Sequence, residues 1–145
     1  MYCMWRRSAK ALLTPFWTAE GWLYLAIVLD LHSRRIIGWT VSDRLKKDLA
    51  TKALVRAIAI RQPQPGLIHH SDRGSQYCSY EYRDLLNRHG IIASMSGKGN
   101  CYDNSMVETV FKTIKGKLIQ EVNPTCHEDC FTDRWPLVRH QMKWA

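Results

Sequence analysis

The sequence predicts an α/β chain in which a mixed sheet carries helices on its faces, and three observations lead there. Two nearly unbroken apolar runs, Trp22 to Leu31 and Ile36 to Val41, are joined by the polar stretch Asp30-Leu31-His32-Ser33-Arg34, the pattern of two buried strands in a hairpin. Residues Lys47 to Arg61 then place apolar side chains at helical spacing and stop before Pro63 and Pro65, as an amphipathic helix does. From Gly66 onward short apolar runs alternate with helical ones. The resulting order of strands, helix, strand, helix, strand, helix calls for a mixed sheet with packed helices.

Each element has its own justification. In the first helix Leu49, Ala53, Ala57 and Ile60 share one side, with Leu54 and Ile58 beside them. A strand over Gly66 to Ser71 ends at Asp72, where Arg73-Gly74 mark a tight turn. A second helix from about Ser79 to His89 has Tyr82, Leu85 and Leu86 as its core face and Gly90 as its stop. Ile91 to Ser94 is a short strand, and a last helix follows the loop Gly97-Lys98-Gly99-Asn100, with Val107, Val110, Phe111, Ile114 and Leu118 at helical spacing. Residues 1–15 show no clear periodicity, and the tail beyond Gln120 has no stable pattern. Both ends are expected to be poorly ordered.

At 145 residues the chain is one domain at most, large enough to bury about two thirds of its unfolded surface. Its formal charge is +8. Arg34, Arg35, Arg44, Lys46, Lys47, Lys52, Arg56 and Arg61 face only Asp43 and Asp48 within one stretch, which suits a polyanion, nucleic acid being the usual one; the plainer reading is a solvated helix face. No apolar run is long enough to span a bilayer, and the N-terminus lacks a secretory pattern, so a cytoplasmic location is expected. Cys3, Cys78, Cys101, Cys126 and Cys130 are odd in number and irregularly spaced, which argues for reduced thiols. Cys126-His127-Glu128-Asp129-Cys130 lacks the second paired cluster of a zinc site.

Two carboxylates stand out. Asp72 would lie at a strand's carboxyl end, and Glu108 in the first turn of the last helix, flanking its buried stripe, with Lys112 and Lys115 stacked on the same side. Each has an ordinary explanation: Asp72 as a turn former, and Glu108 as the acid of a capping box Ser105-Met106-Val107-Glu108.

Taken together, His70-Ser71-Asp72-Arg73-Gly74-Ser75-Gln76-Tyr77 and the stretch from Ser94 to Lys115 resemble the catalytic core of insertion-sequence transposases of the DDE type, relatives of retroviral integrases. Thirty-five residues separate Asp72 from Glu108, the D-x35-E spacing of that family's second and third acidic residues. The resemblance runs from about Phe16 to Ile119 and includes Gly21-Trp22-Leu23-Tyr24-Leu25, Val28-Leu29-Asp30-Leu31 and Ser33-Arg34-Arg35-Ile36-Ile37-Gly38-Trp39. It implies a ribonuclease H-like fold, a catalytic core at 16–120 between unmatched segments 1–15 and 121–145, and a first strand at about Leu12 to Trp17. It further implies magnesium or manganese in a two-ion arrangement on Asp72 and Glu108, DNA contacts from Arg73, Lys98, Lys112 and Lys115, and DNA ends and target DNA as partners. A second copy or an intact transposase is a further implied partner, and no membrane is.

The sequence departs from the family at the first acidic residue. Leu12 stands at that position, and of the D-x-T-Y segment only Thr14 survives, with Pro15 an unfavourable guest in a central strand. Asp30 is the nearest carboxylate, but it matches a separate hairpin aspartate. After Ile119 the family's continuation cannot be read either, and no separate DNA-end-recognition domain is recognisable, so an inactive, truncated or frameshifted remnant is expected. The alternative is a non-catalytic DNA-binding or dimerising fragment. A ribonuclease H-like nuclease fits less well, because both acidic segments match transposases in detail.

Overall fold

The computed structural model describes residues 8–18, 21–95, 109–114 and 116. Strands β1 (Ser8–Thr18), β2 (Gly21–Asp30) and β3 (Arg35–Ser42) form an antiparallel meander. Helix α1 (Asp48–Arg61) then carries the chain across to β4 (Ile68–Ser71), and α2 (Tyr80–Arg88) to β5 (Ile92–Met95). Strands β4 and β5 run parallel to β1, as strands joined by helical crossovers must. The spatial order is β3-β2-β1-β4-β5, and residues 109–114 are helical. Mixed sheet and flanking helices are thus as the sequence predicts.

Alternation along β2 feeds two cores. Leu23, Leu25, Ile27 and Leu29 turn to one face and meet Val110 and Ile114 of the 109–114 helix. Ala26 and Val28 turn to the other and meet Leu49, Ala53, Leu54 and Ala57 of α1 and Tyr82 and Leu86 of α2. A strand covered on both sides needs apolar residues at every position, which is why this run reads as continuous. Leu25 is fully buried, and truncating such a leucine to alanine typically costs about 2–5 kcal/mol.

Helix α1 lies unusually close to β3. A Cβ on Gly38 would collide with the Ala53 carbonyl oxygen and come within 2.8 Å of the Ala57 Cβ, so this packing requires glycine there and alanines opposite. The helix ends at Gln62, which takes the left-handed conformation (φ 43°) and donates its N–H to the Ile58 carbonyl at 2.8 Å, just before Pro63. Ile60, expected on the core side, is 59% exposed; it shares that side of the helix but lies in the last turn, past Ala57, the last buried residue of α1.

The first strand differs most from expectation. It begins at Ser8 rather than near Leu12, and Pro15 does not interrupt its register with β2. The reason lies on the other side of β1, whose pairing with β4 covers only Ser8, Ala9 and Lys10. Past Lys10 that edge carries no further rung with β4, and a missing N–H at an edge costs no ladder bond.

Candidate active site

Asp72 follows the last residue of β4 and is exposed. Its Oδ1 accepts the Gly74 N–H at 2.7 Å, while the Gly74 carbonyl accepts the N–H groups of Tyr77 (3.0 Å) and Cys78 (3.2 Å). A Cβ on Gly74 would stand 2.8 Å from Asp72 Oδ1 and 3.0 Å from Gln76 Oε1, so glycine here lets the backbone close onto the carboxylate. The turn-forming and functional readings of Asp72 are therefore compatible. One oxygen holds the turn, and the carboxylate remains at the surface. The chain then enters α2 through Ser79, whose hydroxyl donates to the Gln76 carbonyl (3.0 Å) and accepts the Tyr82 N–H (3.3 Å).

Beneath the turn lies a buried polar cluster that the sequence did not disclose. His69 Nε2 and the Tyr82 hydroxyl are 2.6 Å apart, and Tyr77 meets Tyr82 edge to face at 5.4 Å. Burial, aided by the neighbouring His70 charge, lowers the His69 pKa to about 4, so the ring is neutral at ordinary pH. Burial first and the Asp72 charge second raise the Tyr77 hydroxyl; burial, then Tyr77 and Asp72, raise that of Tyr82. These groups support the turn and do not exchange protons in the working range. The only sequence signal was the spacing of His69, Tyr77 and Tyr82 around a strand end and a helix start.

The position opposite Asp72 can be read from the register. Ala9 pairs with His69 and Lys10 with His70, so Leu12 comes level with Asp72 two residues further along both strands. Parallel partners point to the same face. Ala9 and His69 face α1 and α2, whereas Leu12 packs, half-buried, on the opposite cluster with Leu25, Ile27, Val110 and Ile114. Leu12 and the 109–114 helix thus share one side of the sheet, and Asp72 leaves β4 at the level of Leu12, one residue past the last β4 residue. Lys10, two residues before Leu12, is 6% exposed on that side.

Asp30 has another job. Its Oδ1 accepts the His32 and Ser33 N–H groups (3.0 and 3.4 Å), its Oδ2 the Ser33 hydroxyl (2.9 Å), and Arg61 pairs with it at 3.0 Å. Burial opposes its charge, but the Ser33 hydroxyl, the two N–H groups and Arg61 together hold its pKa below the usual value. It pairs with Ala9, about 10 Å along β1 from Leu12 at three rungs, and is not a substitute ligand. Arg73 and Lys112 are exposed; Glu108, Lys98 and Lys115, with the capping box and Cys126 to Cys130, lie outside the described residues. No group of three or more potential metal ligands occurs among the described residues. Among the described residues Leu12 brings no oxygen to the position level with Asp72, where a magnesium ion would need oxygen ligands.

A carboxylate at the end of the fourth strand, beside the middle of the first, in a 3-2-1-4-5 mixed sheet with helices packed on it defines a ribonuclease H-like core. Comparison with known proteins agrees. Residues 11–101 match the family model described as integrase core domain, and the chain belongs to that family. It is 49% identical over 107 residues to the transposase InsF for insertion sequence IS3A of Escherichia coli (strain K12), covering 74% of this chain and 37% of that protein. It is 48% identical over 105 residues to the insertion element IS600 uncharacterized 31 kDa protein of Shigella sonnei, covering 72% and 39%. The matched region thus spans under two fifths of these relatives' lengths. Among solved structures, a chain of the simian T-cell lymphotropic virus intasome, in complex with PP2A regulatory subunit B56 gamma, superposes with a TM-score of 0.79 at 19% identity, over 94% of this chain and 48% of that one. The HTLV-2 integrase catalytic core domain, solved with magnesium in a trimeric form, gives 0.69 at 16% identity, over 96% and 83%. No helix among the described residues is long and apolar enough to cross a membrane.

Proposed function

We propose that the chain is the DNA-processing core of an insertion-sequence transposase, by descent a metal-dependent strand-cleaving and strand-joining enzyme, in which catalysis is impaired. The observation that supports this reading is the β1–β4 register, which, carried two residues past its last pair, sets Leu12 level with Asp72. In a two-ion site that pair of positions would share an ion, which supplies charge stabilisation to the attacking and leaving oxygens. Asp72 and Glu108 are the surviving carboxylates, and the Gly74 N–H fixes the first of them. Arg73 and Lys112, with Lys98 and Lys115, are the contacts to phosphate, giving affinity without reading sequence. DNA ends, target DNA and a second copy of the chain are the partners, in the cytoplasm.

The packing of Leu12 into an apolar cluster equally supports a non-catalytic reading, in which the chain binds DNA or dimerises and does no chemistry. Incubation with a terminal-repeat oligonucleotide and manganese separates the two. No cleaved or joined product is expected from the unmodified chain. Robust end joining, abolished by Asp72→Asn or Glu108→Gln, would overturn the claim of impairment while confirming the site.

A further inference from the structure

The end of the sheet that carries Asp72 also carries an aromatic pair which the proposed chemistry does not use. Trp17 and Trp22 face each other across β1 and β2, on the α1 side of the sheet by the alternation that puts Ala9, Ala11, Ala26 and Val28 there, edge to face with ring centroids 5.0 Å apart, yet they are 70% and 53% exposed. Their place follows from strand direction. β1, β3 and β4 all run the same way, so the ends of β1 and β3 lie at the end of the sheet where Asp72 emerges. Trp17 is five residues past Leu12, about 16 Å along an extended strand. At that same end Arg44, Lys46 and Lys47 are exposed in the loop after β3, which leads into the first turn of α1. Helix starts carry partial positive charge, and no side chain caps this one. Asp43, which approaches Arg44 at 3.9 Å, and Asp48, paired with Lys52 at 2.8 Å, only partly offset these cations.

Exposed indole faces beside cations are what single-stranded nucleic acid requires, because every base has a face to stack and every nucleotide a phosphate to neutralise. We propose that Trp17 and Trp22 form a stacking platform for unpaired bases of a DNA strand that leaves the duplex at the Asp72 end and turns round that end of the sheet to its α1 side, with the Arg44 to Lys47 loop holding its phosphates. This rests on the reading of the chain as a DNA-processing core. It adds to that reading a preference for DNA with a single-stranded extension.

The test compares two labelled probes by fluorescence anisotropy: a blunt duplex, and the same duplex with an overhang of about six thymines, within the range of single-strand site sizes. The unmodified chain should bind the overhang probe on the order of tenfold more tightly, within the range that one stacked base contributes. Trp17→Ala with Trp22→Ala should erase the preference and leave blunt-duplex affinity unchanged, while Trp17→Phe with Trp22→Phe keeps part of it. Circular dichroism checks that each variant is folded. Equal affinity for both probes in the unmodified chain would overturn the platform alone, as would a preference that survives the alanine variant. Loss of self-association in that variant with DNA affinities intact would overturn it in favour of a protein-binding surface. Binding to neither probe would sink the DNA-processing reading and this inference with it.

Discussion

Leu12→Asp is the most informative single change. Fully burying a leucine contributes about 1.5–3 kcal/mol, so for the half-buried Leu12 the loss is about 1 kcal/mol. The new carboxylate would also lie one strand spacing, roughly 5 Å, from the level of Asp72, where like charges repel by up to about 3 kcal/mol at a surface-like dielectric. Without metal the variant should thus be less stable by about 2–4 kcal/mol, a fall in Tm of roughly 5–15 °C for a chain of this size. Divalent cation should reverse part of this: at ten times its Kd a ligand of the folded state alone adds about 1.4 kcal/mol, or roughly 3–6 °C. Thermal unfolding with and without manganese measures it, with Leu12→Asn as the uncharged control of equal size. A manganese-induced rise no greater in Leu12→Asp than in Leu12→Asn would refute the assignment of position 12 to the site. Because Pro15 leaves the strand intact, this single change suffices without rebuilding the segment around it.

Other consequences can be measured separately. Gly74→Ala should break the Gly74 N–H bond to Asp72, cost about 1–2 kcal/mol, and abolish the manganese response when combined with Leu12→Asp; a response that persists would free the carboxylate from the turn. The lowered pKa of His69 means that between about pH 6.5 and 4 the unfolded chain takes up a proton that the folded one refuses, so stability should fall as pH drops through that window, by roughly 3 kcal/mol at most. Urea titrations should show this slope flattened in His69→Gln, and an unchanged slope would assign it elsewhere. Asp30, held below its ordinary value, adds stability that is complete above about pH 4 and is lost as pH falls through its folded pKa; Asp30→Asn should remove that acid-side loss. Lys112→Ala with Lys115→Ala should weaken duplex binding and flatten its salt dependence by about one unit per lost phosphate contact, whereas unchanged binding would shift the contact surface to the Arg34 to Arg61 stretch.

What could be read from the sequence followed from punctuation and period. Gly90, Pro63 and Pro65, and the Asp72-Arg73-Gly74 turn bounded the helices and the fourth strand to within a residue or two, and the two-sided burial of β2 was visible because its apolar run never alternates. The beginning of β1 was not visible, because Ala9, Lys10 and Ala11 lack the β-branched and aromatic residues that mark strands. They are strand because β2 pairs with all three and β4 with Ala9 and Lys10. Pro15 misled for a related reason: propensity speaks of a residue in the middle of a sheet, and only the register reveals that β1 has no rung with β4 there. At the site, the place of Asp72 was legible from its neighbours in the chain. The His69–Tyr82 bond was not, since it joins a strand to a helix thirteen residues away. Nor was the exposure of Trp17 and Trp22, whose apolar character alone reads as core.

Pro15 has one more effect, on the behaviour of the chain among its own copies. Beyond Lys10 the outer side of β1 is a free border among the described residues, the kind of backbone rim on which another extended segment can add and start a chain of associations. A proline in that rim presents no amide hydrogen and interrupts the template midway along its open length. A proline at that place would act as a gatekeeper against edge-to-edge strand addition. Replacing it with a good strand former would be expected to trade solubility for regularity.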